Sequence, residues 1–349
     1  MFTPKYTINN AILKNIGLIE AAKEVIQHAP LLPFYEKKFQ KDALIRSVHY
    51  GTHIEGNELS LSQAEKVVMG QQVIARERDI QEVINYRKVM EFIDELGAEK
   101  KDVTEDLILQ LHKFTVEKIL PQETAGTYRK TQVVIRSNQT GEVVFRPPAA
   151  IAVPMQIQDL VAFINSNTAE DIHPVLKSGI VHYELVRIHP FVDGNGRVSR
   201  ALSTLILFLE GYDIRKFFSL EEYFDSDAAR YYLALQEVEK QNGDFTSWLS
   251  YFTQGLAIEL SKVRSRVEAV SADANIKQKL GGKPLLLSER QMEIVEFIQK
   301  NGYLENKAFK SLFPMISEDS VLLDLKTLVG AGLIKKQGVT KGAKYVMAK

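Results

Sequence analysis

His189-Pro190-Phe191-Val192-Asp193-Gly194-Asn195-Gly196-Arg197-Val198-Ser199-Arg200 puts an imidazole, a carboxylate, two glycines and two guanidiniums into twelve residues. Pro174 to Ile188 before it reads as a helix, and Arg197 to Leu209 after it is strongly apolar and stops at Gly211, a residue suited to C′. The run is therefore a helix–loop–helix junction, with its chemistry at the start of the second helix. Gly194 and Gly196 permit positive φ, so backbone N–H groups can converge on one point with no Cβ in the way. The unsatisfied N–H groups and positive dipole end of the following helix act on the same point, which makes it an anion site. Arg197 and Arg200, three apart, share a helix face and can clamp phosphate oxygens. Asp193 is a ligand of the kind Mg²⁺ takes, one or two carboxylates with phosphate and water completing the shell. His189, neutral near its ordinary pKa, can take a proton from an attacking hydroxyl.

Other phosphate-binding patterns fit poorly. The G-x-G lacks the third glycine of a dinucleotide fingerprint and follows a helix rather than a strand, and no G-x-x-x-x-G-K-[ST] occurs. The whole run instead resembles, without a mismatch, the signature H-x-F-x-[DE]-G-N-G-R-x-x-R of Fic (Fic/Doc) proteins, mostly protein adenylyltransferases. The resemblance implies a mainly α fold, a Fic-type helical core with a β-hairpin flap, in which His189 activates a Ser, Thr or Tyr hydroxyl of a protein target for attack on the α-phosphate of ATP. It further implies that Asp193 holds Mg²⁺, that Gly194, Asn195 and Gly196 cradle phosphate, and that Arg197 and Arg200 bind the β- and γ-phosphates.

Far upstream, Ile54-Glu55-Gly56-Asn57 follows a helical stretch from about Asp42 and resembles the family's inhibitory motif [ST]-x-x-x-E-[GN]. Carried over, Glu55 pairs with Arg200 and withdraws it from the γ-phosphate. The first position of the motif is Gly51 here, with Thr52 the nearby hydroxyl, so the helix is expected to be held less firmly. Residues 126–148 read as a hairpin, with Thr131 to Ile135 and Val143 to Phe145 as strands around Asn138-Gln139-Thr140-Gly141, closed by Pro147-Pro148. It resembles the flap that holds the target side chain by strand addition, which assigns that part to Val133, Val134, Ile135 and Arg136. Tyr231, Tyr232 and Asn242 resemble the family's adenine contacts; core packing is the competing reading. His49 and His53 stand at i, i+4 but have no third ligand in view, and a structural role suits His182.

The 349 residues, 45% hydrophobic, can bury a sizeable core in two or three domains. Lys plus Arg and Asp plus Glu both number 44, so no global basic field points to nucleic acid or membrane. The absence of cysteine excludes disulfides, thiol catalysis and cysteine-based zinc sites. No charged n-region with an apolar core opens the chain and no apolar run approaches the ~18 residues of a spanning helix, so a cytoplasmic protein without a membrane partner is expected. The expected divisions are an N-terminal helical cap over 1–95, the catalytic core over 96–260, a linker over 261–284 containing Gly281-Gly282-Lys283-Pro284, and a small domain over 285–349.

In that last domain, Ser288-Glu289-Arg290-Gln291 is a capping box for a helix to Lys300. A second helix is expected from Glu305 to Phe313, a break at Pro314, a third helix from Glu318 to Val329, and a ribbon pairing Leu333 to Lys336 with Lys344 to Val346 around Gly338 to Gly342. The set resembles a winged-helix domain, a frequent companion of Fic cores. Lys326 to Lys349 holds six lysines and no acid, which suits DNA phosphates, whereas Glu318, Asp319, Leu322 and Leu323 on the third helix do not suit base reading. Two functions stay open: an AMP-transferring enzyme, with de-adenylylation or another nucleotide-linked donor as variants, and a DNA-binding regulator using the core as a nucleotide sensor. Self-modification goes with the enzyme reading, and a homodimer is compatible with either.

Overall fold

The computed structural model describes residues 2–31, 33–99, 102–136, 141, 143–279, 287–305, 308–313, 316–338 and 343–348. The chain forms two units, Met1–Ala29 with Glu36–Ala269, and Pro30–Tyr35 with Val270–Lys349. The helices bearing on the first are α1 (Asn10–His28), α2 (Pro33–His53), α3 (Leu61–Val68), α4 (Glu77–Glu99), α5 (Glu105–Thr115), α6 (Val153–Ile164), α7 (Asn167–Glu170), α8 (Pro174–Ile188), α9 (Asn195–Leu209), α10 (Leu220–Ser226), α11 (Ala228–Lys240) and α12 (Thr246–Lys279). Strands β1 (Ile135–Arg136) and β2 (Val143–Phe145) pair antiparallel, with a register irregularity between Ile135 and Arg136.

The ends of these helices are written locally. The side chains of Asn9, Thr104 and Ser219 accept N–H groups at the starts of α1, α5 and α10, and Ser60 with Gln63 closes a capping box on α3. Their packing is centred on α9, whose residues Val198, Leu202, Leu205 and Ile206 are buried along with its polar positions. Both α4 and α5 lie along α9, and α8 runs beside it. Gly179 on α8 lets α12 approach closely: a Cβ there would stand 2.9 Å from a Leu249 methyl and 3.0 Å from the Phe252 ring, and Trp248 Nε1 donates to the Gly179 carbonyl at 2.7 Å.

Several expectations need correcting. The helix expected from about Asp42 begins at Pro33, where the ring's fixed φ suits a first helical position. Residue 95 is no packing boundary, because it lies inside α4, which packs on α9. The linker expected from 261 is helical as far as Lys279. Its alternating charge is a solvated helix face, with Arg264 paired to Glu268 at 2.8 Å one turn on, while Val263 and Val267 continue the buried stripe of Leu256 and Leu260. The first hairpin strand is confined to Ile135–Arg136; upstream, the side chain of Gln132 donates to Pro147 O at 2.8 Å, opposite prolines that have no N–H to give a ladder. The turn Asn138-Gln139-Thr140, the linker residues Gly281 to Pro284, Pro314, and residues 339–342 lie outside the described residues.

The second unit contains α13 (Glu289–Asn301), β3 (Leu304–Glu305), α14 (Phe309–Leu312), α15 (Glu318–Gly330), β4 (Ile334–Gln337) and β5 (Lys344–Met347). The Ser288–Gln291 capping box is present at α13. β5 runs antiparallel between β3 and β4. Glu305 therefore starts no helix: Leu304, fully buried, pairs with Tyr345 and Glu305 with Lys344, leaving only the single turn α14. Ile294, Ile298, Leu304, Phe309, Val321, Leu325 and Ile334 form this unit's own core.

Gly179→Ala tests the packing of α8 against α12. The added methyl should cost about 1–3 kcal/mol by overpacking, read as a lower urea midpoint at unchanged slope.

Candidate active site

Three anchors shape the loop between α8 and α9. The first helix ends because His189 turns left-handed, φ +50°, and Pro190 follows. Arg129, 3% exposed, holds this corner: its N–H donates to Pro190 O at 2.9 Å, its Nε to His189 O at 2.8 Å and its Nη2 to Pro148 O at 2.6 Å. One guanidinium thus ties the His189 corner to the base of the hairpin. Asn195 braces the loop from inside, accepting Phe191 N–H at 2.9 Å and donating to Phe191 O at 2.9 Å. The third anchor is His112, stacked on Phe191 with ring centroids 3.8 Å apart. Its Nδ1 accepts Gly126 N–H at 2.9 Å, so Nε2 carries the proton and donates to Asp193 O at 3.1 Å. Burial pushes the His112 pKa down to about 4.

At the next step α9 begins. Gly194 is left-handed, φ +82°, and a Cβ on it would press Val116 and Thr115 at 3.1 and 3.2 Å. Among the described residues no side chain caps α9, which leaves its first N–H groups available to an anion. Arg200, 2% exposed, donates from Nη2 to Glu55 Oε1 at 2.7 Å and to Gly51 O at 2.9 Å. Its Nε and Nη1 are buried with no hydrogen-bond partner among the described residues, as is Arg197 Nε. Burial opposes the charge of Arg200, and the Glu55 carboxylate with the neighbouring phenols more than offsets it, so the pKa is raised. A Cβ on Gly196 would overlap the Glu55 carboxylate.

Arg197 reaches Glu82 Oε1 at 3.5 Å and Asp193 Oδ1 at 3.3 Å. Asp193 Oδ1 also accepts Gly194 N–H at 2.6 Å, and its Oδ2 accepts from the exposed Arg78 at 2.8 Å. One carboxylate and an uncapped helix start fit a hard cation that brings phosphate and water as its remaining ligands. No cluster of three His, Cys, Asp or Glu that could hold a metal unaided occurs among the described residues. His189 Nδ1 lies 3.2 Å from Val186 O, which can only accept, so the proton is on Nδ1 and Nε2 has the free lone pair. Burial lowers the His189 pKa and keeps the ring neutral.

The structure therefore brings Glu55, His189, Asp193, Gly194, Gly196, Arg197 and Arg200 together. Asn195 belongs to the group through its backbone; its amide is spent on Phe191 and does not face a phosphate. Gly51, at the first position of the motif, makes a contact of its own. Its carbonyl accepts from Arg200, and a Cβ there would overlap the Tyr86 ring, so only glycine admits this contact. Tyr231 is corrected to a core residue, 1% exposed, with its hydroxyl 2.8 Å from His182 Nε2; a base cannot stack on it. Tyr232 is 41% exposed and donates to Ile54 O at 3.4 Å, beside the Glu55 turn. Asn242 is exposed in a left-handed turn after α11, φ +54°. Ile135 pairs with Phe145 and Arg136 with Val143, while Val133 and Val134 precede the strand. His53 pairs with Asp225 at 2.7 Å, and His49 is buried beside it. Arg129, His112 and Arg78 were not singled out from the sequence, because each serves the loop from 60 or more residues away and carries no local spacing signal.

Residues 102–207 match the profile of the Fic/DOC family. The chain is 30% identical over 178 residues to protein adenylyltransferase Fic of Drosophila grimshawi, covering 50% of this chain and 35% of that protein. It is 30% identical over 209 residues to protein adenylyltransferase fic-1 of Caenorhabditis elegans, covering 59% and 39%. The match thus spans little more than a third of the length of these curated relatives. A Fic family protein from Desulfovibrio desulfuricans shares the fold, with TM-score 0.69 and 24% identity over 99% of this chain and 98% of that one.

Acid stability should report on His112. The folded protein protonates it only near pH 4, the unfolded chain near 6.5, so between these values the unfolded state binds more protons and stability falls as pH falls. The other buried histidines act in the same direction. Chemical denaturation at several pH values should show His112→Gln losing less stability than wild type from pH 6.5 to 4, by up to about 3 kcal/mol.

Proposed function

We propose, with residues 102–207 a Fic/DOC domain as the premise, that the chain is a protein adenylyltransferase held in check by Glu55. It moves AMP from ATP to a Ser, Thr or Tyr hydroxyl of a target protein. The observation that carries this reading is Arg200: a buried guanidinium beside Gly196 at the open start of α9, paired with the Glu55 carboxylate, whose Nε and Nη1 have no hydrogen-bond partner among the described residues.

In the proposed reaction the target hydroxyl loses its proton to His189 Nε2 while its oxygen bonds to the α-phosphorus. The bond from that phosphorus to the β-phosphate's bridging oxygen breaks, and pyrophosphate leaves. The N–H groups at the start of α9 stabilise the charge that gathers on the phosphoryl oxygens, and Arg197 and Arg200 hold the β- and γ-phosphates. Mg²⁺, when bound, would neutralise charge on the phosphates, with Asp193 as its protein ligand and Arg78 turned aside from Oδ2. Arg129 fixes the distance from His189 to the flap, whose β1 presents a strand edge to the target.

Glu55 and phosphate compete for one cation. Breaking a buried pair by removing one partner costs about 3–5 kcal/mol, so Arg200 requires an anion in every state. While α2 is docked that anion is Glu55; with α2 released it is the γ-phosphate. Tyr232 lies along this turn and suits the nucleotide's base edge better than Tyr231 does.

The second unit we read as winged-helix-like. Lys335 and Lys336 are exposed on β4, but so are Leu322, Leu323 and Val329 on α15, which favours a protein partner or a second copy over DNA. No helix among the described residues is long and apolar enough to cross a membrane. A cytoplasmic setting is part of the proposal, resting on ATP as donor.

Two outcomes test the reading. With Mg²⁺ and ATP labelled on the α-phosphate, Glu55→Gly should label protein at least tenfold faster than wild type, and Glu55→Gly/His189→Ala not at all; equal labelling in wild type and Glu55→Gly would remove the autoinhibition. Glu55→Gly should also melt lower than wild type without nucleotide, and ATP should raise its melting temperature more than it raises that of wild type.

A further inference from the structure

A cavity of about 230 Å³ opens between α2, α4, α9 and the start of α10. That is several times the ~30 Å³ share of one water molecule. Leu44, Met90, Phe208 and Phe218 give it apolar walls, and Glu221 lines it with a carboxylate. The other charges there are matched: Asp94 pairs with Lys216 at 3.2 Å and Lys41 with Glu65 at 3.9 Å. Glu221 is different. It is 2% exposed, accepts from two neutral hydroxyls, Tyr86 at 3.1 Å and Ser219 at 3.3 Å, and forms no ion pair with any described residue. A carboxylate withdrawn from water without a cation is costly.

We propose that this cavity binds a small organic ammonium ion, its charge on Glu221 and its apolar body between Leu44 and Phe208, and that occupancy keeps α2 docked. The class follows from the lining: apolar walls, two lysines already paired with acids, and one carboxylate with no ion pair among the described residues. Lys216 of the cavity wall ends a stretch of backbone in a sparsely populated conformation, with Ile214, Arg215 and Lys216 successively left-handed at φ +44°, +56° and +60°. Strain of this kind, about 1–3 kcal/mol per residue, gathers at ligand clamps. Gln40 of α2 donates to Arg215 O at 3.2 Å and steadies that turn.

The direction of the effect follows from linkage. Gln40, Ala43, Leu44 and Ser47 of α2 are part of the cavity wall, so undocking α2 dismantles the site. A ligand that needs this wall binds the docked form better and shifts the population toward it. The contact chain from site to latch is short. Glu221 accepts from Tyr86, the Tyr86 ring packs on Gly51, and the Gly51 carbonyl holds Arg200 beside Glu55. The binding site stands on the cavity and Glu221 alone; its action on α2 rests on the proposed braking role of Glu55.

The test uses the full chain and n-hexylammonium chloride as probe, with hexan-1-ol and hexanoate as neutral and anionic counterparts, in isothermal titration calorimetry. Hexylammonium should bind wild type saturably at one site, at least tenfold tighter than either counterpart. The affinity should fall at least tenfold in Glu221→Gln and in Thr204→Met, which fills the cavity from α9, with melting temperatures showing both variants folded. Severalfold weaker binding to Glu55→Gly, together with slower AMP transfer by wild type in the probe's presence, is expected from linkage. No saturable binding, equal binding of hexanol, or unaltered affinity in both cavity variants would overturn the site. Glu221-dependent binding with equal affinity for wild type and Glu55→Gly would overturn the action on α2. Loss of all AMP transfer in Glu55→Gly would instead sink the proposed function while leaving the ammonium titration intact.

Discussion

A buried guanidinium must have an anion, and the arrangement around Arg200 follows from that requirement. The residue projects from α9 into a place where water cannot solvate it, with Nη2 divided between a carboxylate and a carbonyl and two further nitrogens without a partner among the described residues. Such a site is intrinsically two-valued. It can be closed by an acid of the chain itself or by an acid from solution, and both need the same donors. The glycines answer the same need sterically, since a side chain at Gly196 would occupy the space that Glu55 takes, and one at Gly51 would part α2 from Tyr86.

The loop from His189 to Gly194 owes its shape to residues outside it and to one buried amide. Arg129 fixes the carbonyls of His189, Pro190 and Pro148, while Asn195 and His112 hold Phe191 and Asp193. These groups fix the backbone of the loop, while the Val186 carbonyl sets which nitrogen of His189 is free and Gly194 N–H, Arg78 and Arg197 hold the Asp193 carboxylate. Burial determines their protonation: neutral His112 can donate from Nε2 while accepting at Nδ1, which a charged ring could not do.

Much of this was legible from local pattern. The helix Pro174–Ile188 ends where Pro190 forbids continuation, and Gly211 stops α9 after an apolar run with the expected limit at Leu209. The Ser288–Gln291 capping box was readable for the same reason, a cap being a matter of four consecutive residues. Elsewhere local pattern misled. The charged stretch after 261 looked like a linker because its apolar contacts, Val263 and Val267, are sparse and their partners lie far off in sequence. Glu305 looked helical because nothing nearby announces that β5 pairs with it.

The sequence by itself determined the chemical inventory of the site, because spacing within one loop and one helix turn fixes which groups can share a phosphate. It determined the glutamate as well, since a short motif carries it. Tertiary structure alone decided which of these groups face one another. It turned the Asn195 amide inward, put Tyr231 in the core and Tyr232 at the surface, and brought Arg129, His112 and Arg78 to the loop. It also left Glu221, beside a cavity, without an ion pair among the described residues. The physical reason is that burial and charge pairing are properties of a place, and places are made by residues far apart in the chain.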